Sequence, residues 1–224
     1  YLQFPDQILS HMVLGSSLGV IVFSSLSSTF SHNFRGAVDW GLIKLVAPSI
    51  VVGSAIGGIT AGALDSDTLQ GLVALFLVVA SIQLIFESPP PPQNPRTNLI
   101  GPVLAGGGIG WLSGVFGIGG GIFSVPYFYH RGLLMMKAIG TSAACGIPIA
   151  LAGSLSYMII GYENINLPEN SIGYVYLPAT IIVGLVSSLT AKYGVKIAHR
   201  MKQKKLRIGF AFLVMLMALN LLMR

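Results

Sequence analysis

From Leu45 to Leu64 the chain runs without one charged side chain, and it does so again from Ala138 to Tyr162. About 20 apolar residues is the length of helix that crosses the hydrocarbon of a bilayer. A soluble domain carries about 25% charged residues. Here the charged fraction is 9% and the mean hydropathy is +0.77. Further windows of the same kind are Gln7 to Ser31, whose only titratable side chain is His11, Thr68 to Phe86, Ser171 to Ala191 and Ile208 to Met223. The charges gather between these windows, as a bilayer requires when a charge at its centre costs roughly 2.5 kcal/mol or more. The expected fold is an all-α polytopic membrane protein with about six full spans and one irregular segment.

That segment is Thr97 to Tyr129. As one straight helix, at about 1.5 Å per residue, it would reach nearly 50 Å, too long for a simple span. It contains Gly106 to Gly108, then Gly117-Ile-Gly-Gly-Gly121, then Pro126. Glycine runs weaken helices, so both runs are expected to interrupt it. The expectation is a pair of half-helices with an irregular link, re-entering from one face. Non-helical backbone at membrane depth survives only where protein or a water-filled cavity satisfies it, which makes the link a candidate site. Ahead of it, Ser88 to Pro95 is a proline-rich stretch that cannot continue a helix.

The two halves are similar in order. Leu14-Gly-Ser-Ser17 matches Ile139-Gly-Thr-Ser142, Gly36 matches Gly161, Pro48 matches Pro178, Ile59-Thr-Ala61 matches Leu189-Thr-Ala191, and Leu69 and Ala74 match Leu206 and Ala211. The expected organisation is a first repeat over 1–87, a linker over 88–97, and a second repeat over 98–224 with the broken motif at 106–126. A companion glycine-rich segment is expected ahead of the first repeat, just upstream of Tyr1. The net charge of +6 does not point to nucleic acid. Most of the excess lies between Lys192 and Arg207, a loop assigned to the cytoplasm by the positive-inside rule. With a re-entrant glycine segment, Arg35, Lys44, Arg96, Arg131 and Lys137 fall on that same side and Asp65, Asp67, Glu163 and Glu169 on the other. The repeats are then inverted copies, a common plan among secondary transporters.

The run Gly114-Val-Phe-Gly-Ile-Gly-Gly-Gly-Ile-Phe-Ser-Val-Pro126, followed by Ala138-Ile-Gly-Thr-Ser142, resembles the signature of the sulfite exporter TauE/SafE family, also called the toluene-sulfonate uptake permeases. The companion block is Gly15-Ser-Ser17 with the helix end His32-Asn-Phe-Arg-Gly-Ala-Val-Asp-Trp40. The resemblance covers nearly the whole chain. It implies a carrier for sulfite, sulfonates or related sulfur-containing anions, in a bacterial plasma membrane.

The residues themselves point to similar chemistry. An anion in a bilayer can be held by free amides at a broken-helix N-terminus, where glycine permits close approach. Gly117, Gly119, Gly120 and Gly121 are candidate ligand-facing positions, with Thr141, Ser142, Ser16 and Ser17 as hydroxyl partners. Small residues of this kind also serve close helix packing. His32, Asn33 and Arg35 are candidate gate residues, with a headgroup or loop anchor as the other role for Arg35. Cys145 is expected to be packing. Tyr157 is either a core residue or faces the pathway. No cofactor, metal or catalytic group is expected, and no ATP-binding glycine-lysine motif is present. The partners expected are a small anion, membrane lipids, and a second copy or a larger membrane complex. The competing functions are a channel-like anion exporter and an accessory membrane subunit that moves nothing.

Overall fold

A computed structural model describes residues 6–86, 100–200, 208–209, 212 and 215–220. The proline-rich linker, Arg96 and Lys202 to Arg207 lie outside the described residues. The elements are α1 (Asp6–Asn33), α2 (Trp40–Gly62), α3 (Ser66–Phe86), α4 (Ile100–Phe116), α5 (Gly121–His130), α6 (Met135–Ile160), a hairpin of β1 (Ser171–Ile172) and β2 (Val175–Tyr176), and α7 (Leu177–Arg200). Helices α1, α2, α6 and α7 are each long and apolar enough to cross a membrane, and α3 and α4 contain shorter apolar stretches.

Large apolar side chains point outward: Val52, Ile56 and Ile59 on α2 and Ile182, Leu185 and Leu189 on α7 are exposed. The inward positions of α2 from its middle onward are small, Gly53, Ser54, Gly57, Gly58 and Ala61, after Ile43, Val46 and Ile50 nearer its start. That inversion of the soluble pattern fits a lipid solvent, in which helices associate through close backbone contact and hydrogen bonds, not through hydrophobic exclusion. The seam between α2 and α4 is built this way. A Cβ on Gly53 would strike the Gly107 carbonyl, one on Gly57 the Trp111 carbonyl, and one on Gly110 the Ile50 carbonyl.

This packing corrects two expectations. Gly106 to Gly108 do not interrupt α4, which is helical from Ile100 to Phe116. The absent side chain of Gly106 lets α2 approach, and the packing gained along this seam offsets the run's poor helix propensity. Residues 171–176 are also not the start of a span. They pair as a tight hairpin, Ser171 opposite Tyr176 and Ile172 opposite Val175, with α7 starting only at Leu177. Left-handed Asn170 (φ 64°) and Gly173 (φ 52°) shape it.

Directions follow from which residues meet. Along α1 and α6, Gly15 meets Tyr157, Gly153 meets Leu18, and Gly146 meets Ser25, so the two helices are antiparallel. Helices α2 and α4 are parallel, with Gly106 beside Val46, Gly110 beside Ile50 and Gly114 beside Ser54. Helix α7 runs parallel to α1, since Thr180 meets Gly19 and Ser188 Oγ donates to the Phe23 carbonyl at 3.0 Å. Among the described residues, one end of the bundle therefore carries Arg35, Lys44, Arg131, Lys137 and Lys192, and the other carries Asp65, Asp67, Glu163 and Glu169. Among the described acids, Asp39 lies at the basic end, where its side chain caps α2 by accepting from the Leu42 amide at 3.0 Å. At the acidic end, hydrogen bonds from the Thr68 amide and hydroxyl hold Asp65 below the ordinary carboxylate range. The small stabilisation this exposed cap gives is present above the ordinary carboxyl pKa and lost as pH falls through the lowered one.

The α2–α4 seam separates two alanine substitutions of identical chemistry. Gly110→Ala forces a methyl into the Ile50 backbone and should lower stability by about 1–3 kcal/mol. Gly108, with nothing within 4 Å of a Cβ, should tolerate Ala without loss. Thermal unfolding of the detergent-solubilised variants checks the contrast.

Candidate functional site

The glycine segment breaks where left-handed backbone is needed. Helix α4 ends at Phe116, Gly117 has φ 64°, Gly120 has φ 74°, and α5 starts at Gly121. Only glycine takes this conformation without a steric penalty. The unit turns back on itself. A Cβ on Gly101, at the start of α4, would lie 3.5 Å from the Arg131 guanidinium, just past the end of α5. Both ends thus sit at the basic end of the bundle. The break itself lies at the level of Leu14 on α1 and Ile149 on α6, deep within both helices.

Its backbone is tied down from several sides. Ser17 Oγ donates to the Gly117 carbonyl at 3.1 Å. The Ile118 amide donates to the Ser113 carbonyl at 3.1 Å. The Tyr157 hydroxyl, fully buried, donates to the carbonyls of Gly114 and Val115 at 3.3 Å each. These are carbonyls of the last turn of α4, which have no partner further along the helix. On the other side, Ser124 Oγ donates to the Gly120 carbonyl at 2.9 Å and meets Ser142 Oγ at 2.6 Å. With the Ser124 proton on that carbonyl, the Ser142 hydroxyl donates to Ser124.

The N-terminus of α5 is less occupied. The Phe123 and Ser124 amides both donate to Gly120, at 3.0 and 2.8 Å. Among the described residues, no backbone carbonyl accepts from the Gly121 or Ile122 amides. Gly121 is exposed, and Gly119 and Ile122 are half-buried. A Cβ on Gly121 would meet only Ser142 Oγ, at 3.9 Å. Facing the same turn, Ser113 is fully buried, and among the described residues its hydroxyl has no partner; it lies 3.4 Å from a Cβ position on Gly120. Among the described residues, the arrangement joins free amides, the positive end of a helix dipole and a spare hydroxyl, with no cation beside them; donors of this kind suit an anion.

The expected hydroxyls fall into separate roles. Ser17 and Ser142 touch the broken segment, but each spends its proton on protein. Ser16 and Thr141 hold loops. Ser16 Oγ accepts from the Tyr176 amide at 2.9 Å, and Thr141 Oγ1 accepts from the Asp39 amide at 3.0 Å. The three candidate gate residues do not converge. His32 is buried, Asn33 Oδ1 accepts from Trp40 Nε1 at 2.8 Å on the surface, and Arg35 is exposed. Cys145 is a buried free thiol. Ser113 and Ser124 were not singled out from the sequence. Their spacing from the glycine run is the one signal that could have found them.

Comparison with known proteins places this geometry. The family described as sulfite exporter TauE/SafE matches residues 3–221. A probable membrane transporter protein of Haemophilus influenzae is 30% identical, over 98% of this chain and 84% of the relative. One from Methanocaldococcus jannaschii is 28% identical, over 100% of this chain and 82% of the relative. A third, YdhB of Bacillus subtilis, is 30% identical over 68% of this chain and 65% of the relative. No solved structure matches. With apolar helices of spanning length, a signature glycine segment and a match over almost its full length, the chain is an integral membrane protein that belongs to the sulfite exporter TauE/SafE family.

Proposed function

We propose that the protein is a secondary transporter of small sulfur-containing anions, sulfite or sulfonates, in a bacterial plasma membrane, and that it catalyses no chemical conversion. The observation that carries this is the exposed N-terminus of α5 at the re-entrant break, with two unclaimed amides and the unpartnered Ser113 hydroxyl beside it. Sulfite and sulfonate present several oxygen acceptors around one sulfur, and several converging neutral donors match that shape. The names of the transporter relatives support the class of activity.

The organisation into inverted repeats, 1–87 and 98–224 about the linker 88–97, is part of the same proposal. Its support is a reciprocal pair of contacts. Gly15-Ser16 of α1 packs against the approach to α7: a Cβ on Gly15 would lie 2.6 Å from the Tyr174 carbonyl, and Ser16 takes the Tyr176 amide. Gly140-Thr141 of α6 does the same to the approach to α2: a Cβ on Gly140 would strike the Ala37 carbonyl, and Thr141 takes the Asp39 amide. Matching helices that cross antiparallel and exchange equivalent contacts are what an inverted repeat produces. These contacts pair Asp39 with Tyr176, a register other than the one that sets Pro48 against Pro178.

Gly121→Leu tests the site without disturbing the fold, because a side chain there meets little protein. In proteoliposomes, uptake of sulfite and of methanesulfonate should fall to background while the purified variant keeps its unfolding temperature. Normal uptake would remove the α5 terminus from the mechanism. Ser113→Ala should raise KM about tenfold or more with little change in maximal rate, as loss of one hydrogen bond to an anion costs about 1.5–3 kcal/mol.

The membrane orientation has its own check. With Cys145 replaced by Ala, single cysteines at Arg35 and Lys192 should react with an impermeant maleimide only from the cytoplasmic side. Cysteines at Asp67 and Glu163 should react only from outside. Labelling of Arg35→Cys and Lys192→Cys from opposite faces would end the inverted arrangement.

A further inference from the structure

At the basic end, the last turn of α1, the turn after it and Lys192 of α7 line a cavity of about 300 Å³, through Phe30, Ser31, Phe34, Arg35 and Lys192. Two cations thus share one small concavity. Among the described residues neither has an acid within ion-pair distance, because the acids other than Asp39 lie at the far end of the bundle. The aromatic walls face outward: Phe30 is 59% exposed and Phe34 75% exposed, and their rings meet edge to face at 4.5 Å. Of the lining residues, Ser31 is held in place, its Oγ donating to the Ser27 carbonyl at 2.9 Å, while Ser27 Oγ ties α1 to α7 by donating to the Ser188 carbonyl at 2.6 Å.

We propose that this cavity binds one anionic phospholipid, its phosphate between Arg35 and Lys192 and an acyl chain along Phe30 and Phe34. The geometry favours a lipid over a soluble anion. An ion alone would leave two large aromatic faces unexplained, whereas a phospholipid has a charged head and an apolar tail joined at the membrane interface. An arginine fork suits two phosphate oxygens, and a lysine adds a mobile point charge. The position is right as well: the positive end of a membrane protein meets the leaflet rich in anionic headgroups. The site is separate from the α5 terminus and does not depend on what the protein carries.

Each basic residue near such a surface contributes about a fivefold preference for anionic lipid, so removing both should cost about thirtyfold. The test is native mass spectrometry of the full chain exchanged between nanodiscs of phosphatidylcholine and mixed phosphatidylcholine–phosphatidylglycerol. The unmodified protein should retain one phosphatidylglycerol. The double variant Arg35→Gln, Lys192→Gln should lose it, and Phe34→Ser should weaken it. Arg131→Gln, at the same end but outside the cavity, should keep it, and Arg35→Lys, which keeps the charge but not the fork, should hold it more weakly than the unmodified protein and better than the double variant. Equal retention by the double variant and the unmodified protein overturns the proposal. So does displacement of the lipid by millimolar inorganic phosphate, which would assign the cavity to a soluble anion. A double variant that elutes as a single folded species yet loses the lipid excludes misfolding as the cause.

Discussion

Everything in this structure answers to one constraint: a peptide backbone that leaves the helical ladder at membrane depth has to find other partners. In hydrocarbon an unpaired amide or carbonyl costs several kcal/mol. At Gly117 to Gly120 the chain accepts that constraint and meets it with side chains from three other helices or half-helices. Ser17 reaches in from α1, Tyr157 from α6 and Ser124 from within α5. Most of these contacts stabilise carbonyls. The amides of the following turn are left over, and under the proposed function it is this asymmetry that makes the break a site, not merely a kink.

The glycines divide by the same logic into kinds that look alike in a sequence. Gly117 and Gly120 are required by their own backbone, which sits at positive φ. Gly53, Gly57, Gly110 and Gly140 are ordinary helical residues required by a neighbour's backbone. The first kind is local, so the break at Gly117–Gly121 was legible from the run itself. The second kind is set by a partner distant in sequence, so Gly106 to Gly108 read as a second break and is none. The hairpin at 171–176 was missed for a related reason. An uncharged window reports how much apolar surface is available, not where the helix within it begins, and the turn depends on left-handed Asn170 and Gly173. Ser113 was invisible because a serine in a membrane helix usually satisfies itself against the preceding turn. Only the fold reveals one that does not.

The basic and acidic ends follow from the sequence more directly. Charge clusters are long-range statements about which loops share a side, and they need only the number of crossings between them. Reading Thr97 to Tyr129 as a hairpin put Arg35 and Lys192 together, and the contact between Gly101 and Arg131 closes that hairpin in the structure. What charge counting could not supply was convergence. His32, Asn33 and Arg35 are near neighbours in the chain, but α1 turns His32 inward, while Arg35 lies in the turn after α1, beside Lys192 of α7.

The neutrality of the cradle bears on what a carrier needs. A buried arginine beside the α5 terminus would hold an anion strongly, but it would carry a large desolvation cost whenever the site was empty. Free amides and a serine hydroxyl bind less strongly and cost less when unoccupied. Under the proposed function that is an advantage, because a carrier has to release on one face what it collected on the other. Cations are instead kept at the rim, at Arg35, Arg131 and Lys192, where water and headgroups solvate them. Under the same proposal they raise the local concentration of anions and favour one orientation of the chain without becoming a trap on the path.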